Sequence, residues 1–208
     1  ELTATVDRLI TESIQTSSPV LVSDFEVKSW LIAEQGETGI DDEESMHVIG
    51  AENSTTGELV LVVDDLADMR ELIAGSLIER NYRVATASNG QRGIELAQEL
   101  RPDLIITDWM MPQLSGPDLI TMAKADPLLG SVPIILLTAK SDEESKLIGR
   151  EIGADSFLGK PFNEQELGSI VRNLLSLKAR EREVEKLNHM LTETILKRYL
   201  PPKLIEQI

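Results

Sequence analysis

LVLVVDD (59–65) and LIITDWMMPQLSG (104–116) decide how the rest of the chain is read. Each begins as an unbroken run of Val, Ile and Leu and then breaks abruptly into aspartate. A short apolar run without alternation fits a strand covered on both faces, as in a parallel sheet. Outward from these two the pattern recurs. The first run is followed by helical periodicity through Met69, Leu72, Ile73 and Leu77. YRVATA (82–87) precedes a helical stretch to about Leu100, and LIIT (104–107) precedes one around Gly116–Ala125. VPIILLT (132–138) and SFLGK (156–160) lead into helices near Asp142–Ile152 and from about Asn163. Five β-rich runs alternating with five helices predict an α/β fold, a doubly wound parallel sheet with helices on both faces.

Composition narrows the function. Of 208 residues 41% are apolar, enough for a core of ordinary size, and the net charge is −16. That sign argues against binding along a nucleic acid backbone. Seven aromatics leave no platform for stacking single strands. Zero cysteines exclude disulfides, thiolate zinc sites and thiol catalysis, and two histidines, His47 and His189, are too few for a multi-histidine metal site. The opening ELTATVDRLI is not patterned as a leader, and no run of 18 apolar residues exists, so a cytoplasmic protein without membrane contact is expected. The first residue is Glu and the last lies within LIEQI, so a piece of a longer polypeptide is expected.

Polar residues stand where the strands end: Asp64 and Asp65, Asp108, Thr138 and Lys160. Ligands of open parallel sheets bind outside the carboxyl ends of the strands, near the switch in strand order. An order 2-1-3-4-5 would bring all five side chains to one edge. Three carboxylates there repel one another: at ~4 Å and an effective dielectric of ~20 each pair costs on the order of 4 kcal/mol. A hard divalent cation with oxygen ligands offsets that, and Mg²⁺ suits one or two carboxylates plus water and a phosphate. Lys160 adds a point charge and Thr138 a hydroxyl donor. Such a set is what a carboxylate needs to accept a phosphoryl group in line.

The pieces LVVDD, LIITDWMMPQLSG, ILLTAK and DSFLGKPF follow in that order, with 43, 30 and 22 residues separating Asp65, Asp108, Thr138 and Lys160. Together they resemble the receiver domain of two-component response regulators over about residues 58–177. The resemblance implies a flavodoxin-like sheet of five strands, order 2-1-3-4-5. It implies that Asp108 is the phosphoacceptor, charged by a sensor histidine kinase or a phosphotransfer protein. Asp64 and Asp65 would hold Mg²⁺ with Asp108 and the backbone carbonyl of Met110. Lys160 would pair with the phosphate, Thr138 would be the switch hydroxyl and Phe157 the switch aromatic, and Lys160–Pro161 would be cis. Ala139 keeps the phosphoryl site small, while Lys140 and Met110 would tune phosphate lifetime. Leu66-Ala67 departs from the acidic or polar residue many relatives carry after the acid pair, and Phe157 lacks the hydroxyl of the Tyr variant. His189, in KLNHMLTE, lacks the flanks of a kinase histidine box.

Outside that stretch, Leu2, Val6, Leu9, Ile10 and Ile14 predict a short helix. Residues 36–58 hold seven acids and no Lys or Arg, which predicts a solvated linker. The division expected is therefore 1–57, helix and linker; 58–177, receiver; 178–208, transmitter helix and entry to an output domain. With Leu167 as an a position, Leu174, Glu181, Asn188 and Ile195 also fall on a, and Ile170, Leu177, Val184 and Leu191 on d. That seam predicts a coiled coil running on from the receiver and a homodimer, with Asn188 setting register. RYLPP (198–202) is similar to the entry segment of class III nucleotide cyclase domains, whose catalytic residues lie outside this chain. The regulated output expected is thus an adenylate or guanylate cyclase, while these residues themselves only gain and lose phosphate. The competing reading is a receiver of a hybrid histidine kinase or phosphorelay without enzymatic output. A DNA-binding regulator is disfavoured by the charge and by the lack of a basic helix-turn-helix.

Overall fold

The computed structural model describes residues 48–49, 57–139 and 151–199, with backbone alone at 48, 49, 139 and 193–199. The helix expected at 2–14, His47, Lys140, most of the helix near 142–152, the side chain of Ile195 and the Pro201-Pro202 segment lie outside the described residues. Strands β1 (Val48–Ile49), β2 (Leu59–Val63), β3 (Arg83–Ala87), β4 (Leu104–Asp108), β5 (Ile134–Ala139) and β6 (Ser156–Lys160) form one sheet. Its order is β1-β3-β2-β4-β5-β6. β2 to β6 are parallel throughout, so the expected five-strand order is observed. The chain crosses between them through α1 (Ala67–Glu79), α2 (Gly90–Leu100) and α3 (Gly116–Ala125), and continues into α4 (Glu164–Tyr199).

β2 shows why its sequence reads as an unbroken apolar run. All five of its residues are buried, and successive side chains enter opposite cores. Val60 and Val62 pack with Met69, Ile73 and Leu77 of α1 and Leu167, Val171 and Leu175 of α4. Leu59, Leu61 and Val63 pack on the other face with Ile94 and Ala97 of α2 and Leu119, Ile120 and Ala123 of α3. Helix starts follow their local chemistry. Asn89 Oδ1 accepts from Arg92 N at 2.8 Å, and Asn163 Oδ1 from Glu166 N at 2.7 Å, each relieving an orphan first-turn donor.

The solvated-linker reading of 36–58 needs one correction. Val48–Ile49 pairs antiparallel with β3, Val48 opposite Ala85 and Ile49 opposite Val84. Two β-branched residues suffice because β3 would otherwise present an open ladder edge. A two-residue strand inside an acidic stretch has too little pattern to read in advance.

α4 has two parts. Leu167, Val171 and Leu175 are buried, whereas Leu177, Val184, Leu187 and Leu191 are more than half or half exposed. The helix therefore outruns the domain that nucleates it, as the sequence predicts. Among the described residues no helix is long and apolar enough to cross a membrane.

Candidate functional site

Strand register brings the predicted polar residues together. Asp108 closes β4 opposite Leu137, the next residue of β5 is Thr138, and Ala139 stands opposite Lys160 at the end of β6. Asp64 follows β2 directly, its N–H bonded to Ala87 O at 3.2 Å. The outcome is an ammonium between two carboxylates: Lys160 Nζ lies 2.9 Å from Asp64 Oδ2 and 2.6 Å from Asp108 Oδ1. Each carboxylate's other oxygen takes a backbone donor, Leu66 N on Asp64 Oδ1 at 3.0 Å and Met110 N on Asp108 Oδ2 at 3.1 Å. Both acids are thus fixed in orientation by two bonds each.

Burial sets the electrostatics. Asp64 is wholly buried, and desolvation, opposed by Lys160 and reinforced by Asp108, pushes its carboxyl from 3.8 up to about 6. Asp65 borders a cleft of about 440 Å³ lined also by Trp109, Met110, Met111, Pro112 and Ser115. Partial burial and the Asp108 charge raise its carboxyl as well. Burial works against the charge on Lys160, but Asp64 and Asp108 outweigh it and its pKa is raised. The site thus holds more negative charge than one lysine neutralises.

Thr138 is 2% exposed, and its Oγ1 has no hydrogen-bond partner among the described residues. A buried hydroxyl left without a partner costs on the order of 1–3 kcal/mol, so the site favours an added hydrogen-bond acceptor here. No group of three or more acidic or imidazole side chains among the described residues is gathered tightly enough to hold a metal ion as it stands. Lys160 occupies one oxygen of each buried aspartate instead. The donor set still fits Mg²⁺, which takes hard oxygens, needs only one or two carboxylates and keeps several waters. Excess negative charge beside an open cleft is the observation that favours it.

All the predicted site residues but Lys140 lie among those described. Asp64, Asp108 and Lys160 touch, Thr138 and Asp65 flank them, and the Lys160–Pro161 bond is cis. Phe157 is half-buried against the core on the α2–α3 face. Met110 contributes its N–H to Asp108, and its side chain is 74% exposed. His189 sits on the exposed part of α4, outside the site. One participant escaped the sequence reading. Arg70 Nη1 donates to Asp64 O at 2.8 Å and to Asp65 O at 3.1 Å, clamping both peptide units of the acid pair. Its position one turn into the helix that follows is a weak signal, because any surface helix carries such an arginine. Gly116 has a clearer reason: a Cβ there would collide with the Asp108 carbonyl.

The match to known proteins follows the same residues. The sequence model of the response regulator receiver domain matches residues 60–172. The phosphate regulon transcriptional regulatory protein PhoB of Pseudomonas aeruginosa is 41% identical over 119 residues, 57% of this chain and 52% of that protein. Histidine kinase P4 of Formosa agariphila is 32% identical over 159 residues, 76% of this chain and 11% of that protein. Among solved structures, the chemotaxis response regulator CheY4 of Vibrio cholerae aligns with a TM-score of 0.55 at 32% identity, covering 57% of this chain and 99% of that one. This chain accordingly spans about half the length of the PhoB relative and a small part of the kinase. With a doubly wound sheet gathering Asp64, Asp108, Thr138 and Lys160 at one edge and the family's sequence matched over more than half its length, the chain belongs to the response regulator receiver domain family of two-component signalling.

Proposed function

We propose that this chain accepts a phosphoryl group on Asp108 from a sensor histidine kinase or phosphotransfer protein and relays the change through α4 to an output domain. The observation that carries the reading is the Lys160 ammonium 2.6 Å from Asp108 Oδ1, with the buried Thr138 hydroxyl at the same strand ends and without a partner among the described residues. An Asp108 oxygen attacks phosphorus as the bond from phosphorus to the donor nitrogen breaks. The departing imidazole keeps that electron pair and takes a proton. Lys160 then pairs with a phosphoryl oxygen and Thr138 donates to another. Asp64, Asp65, Asp108 and the Met110 carbonyl would hold Mg²⁺, which neutralises charge on the transferring group.

Phosphorylation adds about −1.5 to −2 charges at Asp108. Thr138 moves toward that charge, β5 and the half-buried Phe157 of β6 repack, and α4 follows β6 directly. The distal half of α4 pairs with a second copy in a parallel coiled coil. The output proposed is a class III nucleotide cyclase, supported by RYLPP (198–202) alone. A second reading, a receiver within a hybrid kinase, is favoured by the Formosa kinase match, which covers 76% of this chain. Both place the work in the cytoplasm.

Incubation with labelled acetyl phosphate and Mg²⁺ tests the core of this reading. The protein should take up acid-stable, base-labile label, and Asp108→Asn should take up none. Undiminished labelling of Asp108→Asn overturns it.

A further inference from the structure

Leu167, Val171 and Leu175 of α4 are buried against the domain, and two polar residues continue their stripe. Lys178 keeps its side chain only 12% exposed. Arg182 Nη1 lies 2.9 Å from Asp103 Oδ1. Asp103 is itself anchored, its Oδ2 accepting from Leu59 N at 3.0 Å where β2 begins. Through Arg182, α4 is thus tied to the central strand beyond its last buried leucine. A second stripe, Leu177, Val184, Leu187 and Leu191, is 50–60% exposed. At roughly 100° per residue the two stripes point in nearly opposite directions.

The exposed stripe suits a second copy of this helix. Leu177, Val184 and Leu191 recur every seven residues, and a solvated helix has no use for large apolar side chains on one line. With these three at d in a parallel pair, Arg180 falls on g and Glu185 on the e position that meets it across the dimer, with opposite charges. Asn188 then falls on a, where a like residue of the partner can satisfy it, and Glu181 on a is offset by Lys178 of its own chain at 3.5 Å.

Resting on the dimeric-helix reading above, we propose that the Asp103–Arg182 ion pair sets the rotational phase of the paired helices. The receiver holds α4 by one face and leaves the opposite face to the second copy, so pairing needs no undocking. A change in the receiver then rotates a helix that is already paired.

The chain has no cysteine, so single cysteines in residues 1–208 report without background. Val184→Cys, on the exposed stripe, should form an intermolecular disulfide several-fold faster than Lys186→Cys, which lies off it. Arg182→Gln, which leaves the Asp103 bond to Leu59 in place, should bring the two rates together. Equal rates in the parent, or a ratio that Arg182→Gln leaves unchanged, overturn the proposal while the dimeric reading stands. A protein monomeric by light scattering, with neither position cross-linking, removes the dimeric reading itself and this inference with it.

Discussion

The acid cluster and the distal half of α4 are held in opposite ways. At the cluster, Asp64 and Lys160, 96 residues apart in sequence, meet at 2.9 Å, and every oxygen of Asp64 and Asp108 has a named partner. Beyond Leu175, α4 continues along the body with the largely buried Lys178 side chain and the half-exposed ion pair of Arg182 to Asp103, and bonds such as Thr192 Oγ1 to Asn188 O stay within the helix. A buried, fully bonded cluster resists rearrangement until a new charge arrives. A half-exposed ion pair yields for a fraction of a kcal/mol up to about 1. The switch proposed above needs both: a stiff place to read a phosphoryl group and a soft place to show it.

That contrast can be broken at several points. The largest expected effect is on α4 itself. Leu167→Ala should cost about 2–5 kcal/mol of unfolding free energy, because it opens a cavity in a closed core. Leu187→Ala, at a half-exposed position, should cost well under about 1 kcal/mol in the monomer. Urea unfolding at low protein concentration compares them, and equal losses would mean that the distal helix is packed after all.

Next comes the cluster's own tension. The Asp64 carboxyl sits at about 6 in the fold against 3.8 ordinarily. Between those values the folded protein keeps a proton that the unfolded chain has released, so stability falls as pH rises through that window. Asp64→Asn, in chelator at pH 7, should gain about 1–3 kcal/mol and lose that slope. A loss of stability would mean that the Lys160 bond outweighs desolvation. This variant should also bind Mg²⁺ more weakly, followed by Trp109 fluorescence beside the cleft.

Arg70→Ala should act on the cation with less effect on the fold. Freed from two carbonyl contacts, the acid pair should lose Mg²⁺ affinity by roughly 1 kcal/mol, about fivefold. Partial recovery in Arg70→Lys would separate carbonyl clamping from simple charge. Unchanged affinity in Arg70→Ala would assign the arginine to helix capping alone. The smallest effect belongs to Arg182→Ala, about 0.2–1 kcal/mol in thermal unfolding and less at high salt.

How far each feature could be read in the sequence follows from its physical origin. β2, β4 and β5 announced themselves because strands buried on both faces must be apolar throughout, and β6 because its lysine ends a known constellation. β1 did not, since its pairing depends on an edge created by β3 and not on its own two residues. Arg70 did not, because its partners are backbone carbonyls, which carry no residue identity. The heptads themselves carry no sign of the division of α4: they run without interruption through Leu174 and Leu177, while packing against the body falls off between those two residues.

Composition, strand-end aspartates and apolar periodicity alone determined the parallel α/β class, the acidic, hydroxyl and ammonium inventory, and a long C-terminal helix, since these depend on local residue types and their spacing. Only tertiary structure decided that Lys160 bridges Asp64 and Asp108, that Thr138 has no partner among the described residues, and that Asp103 holds Arg182. The Asp103–Arg182 and Asp64–Lys160 contacts join residues 79 and 96 apart, and strand register, which no single segment carries, brings Lys160 to both aspartates.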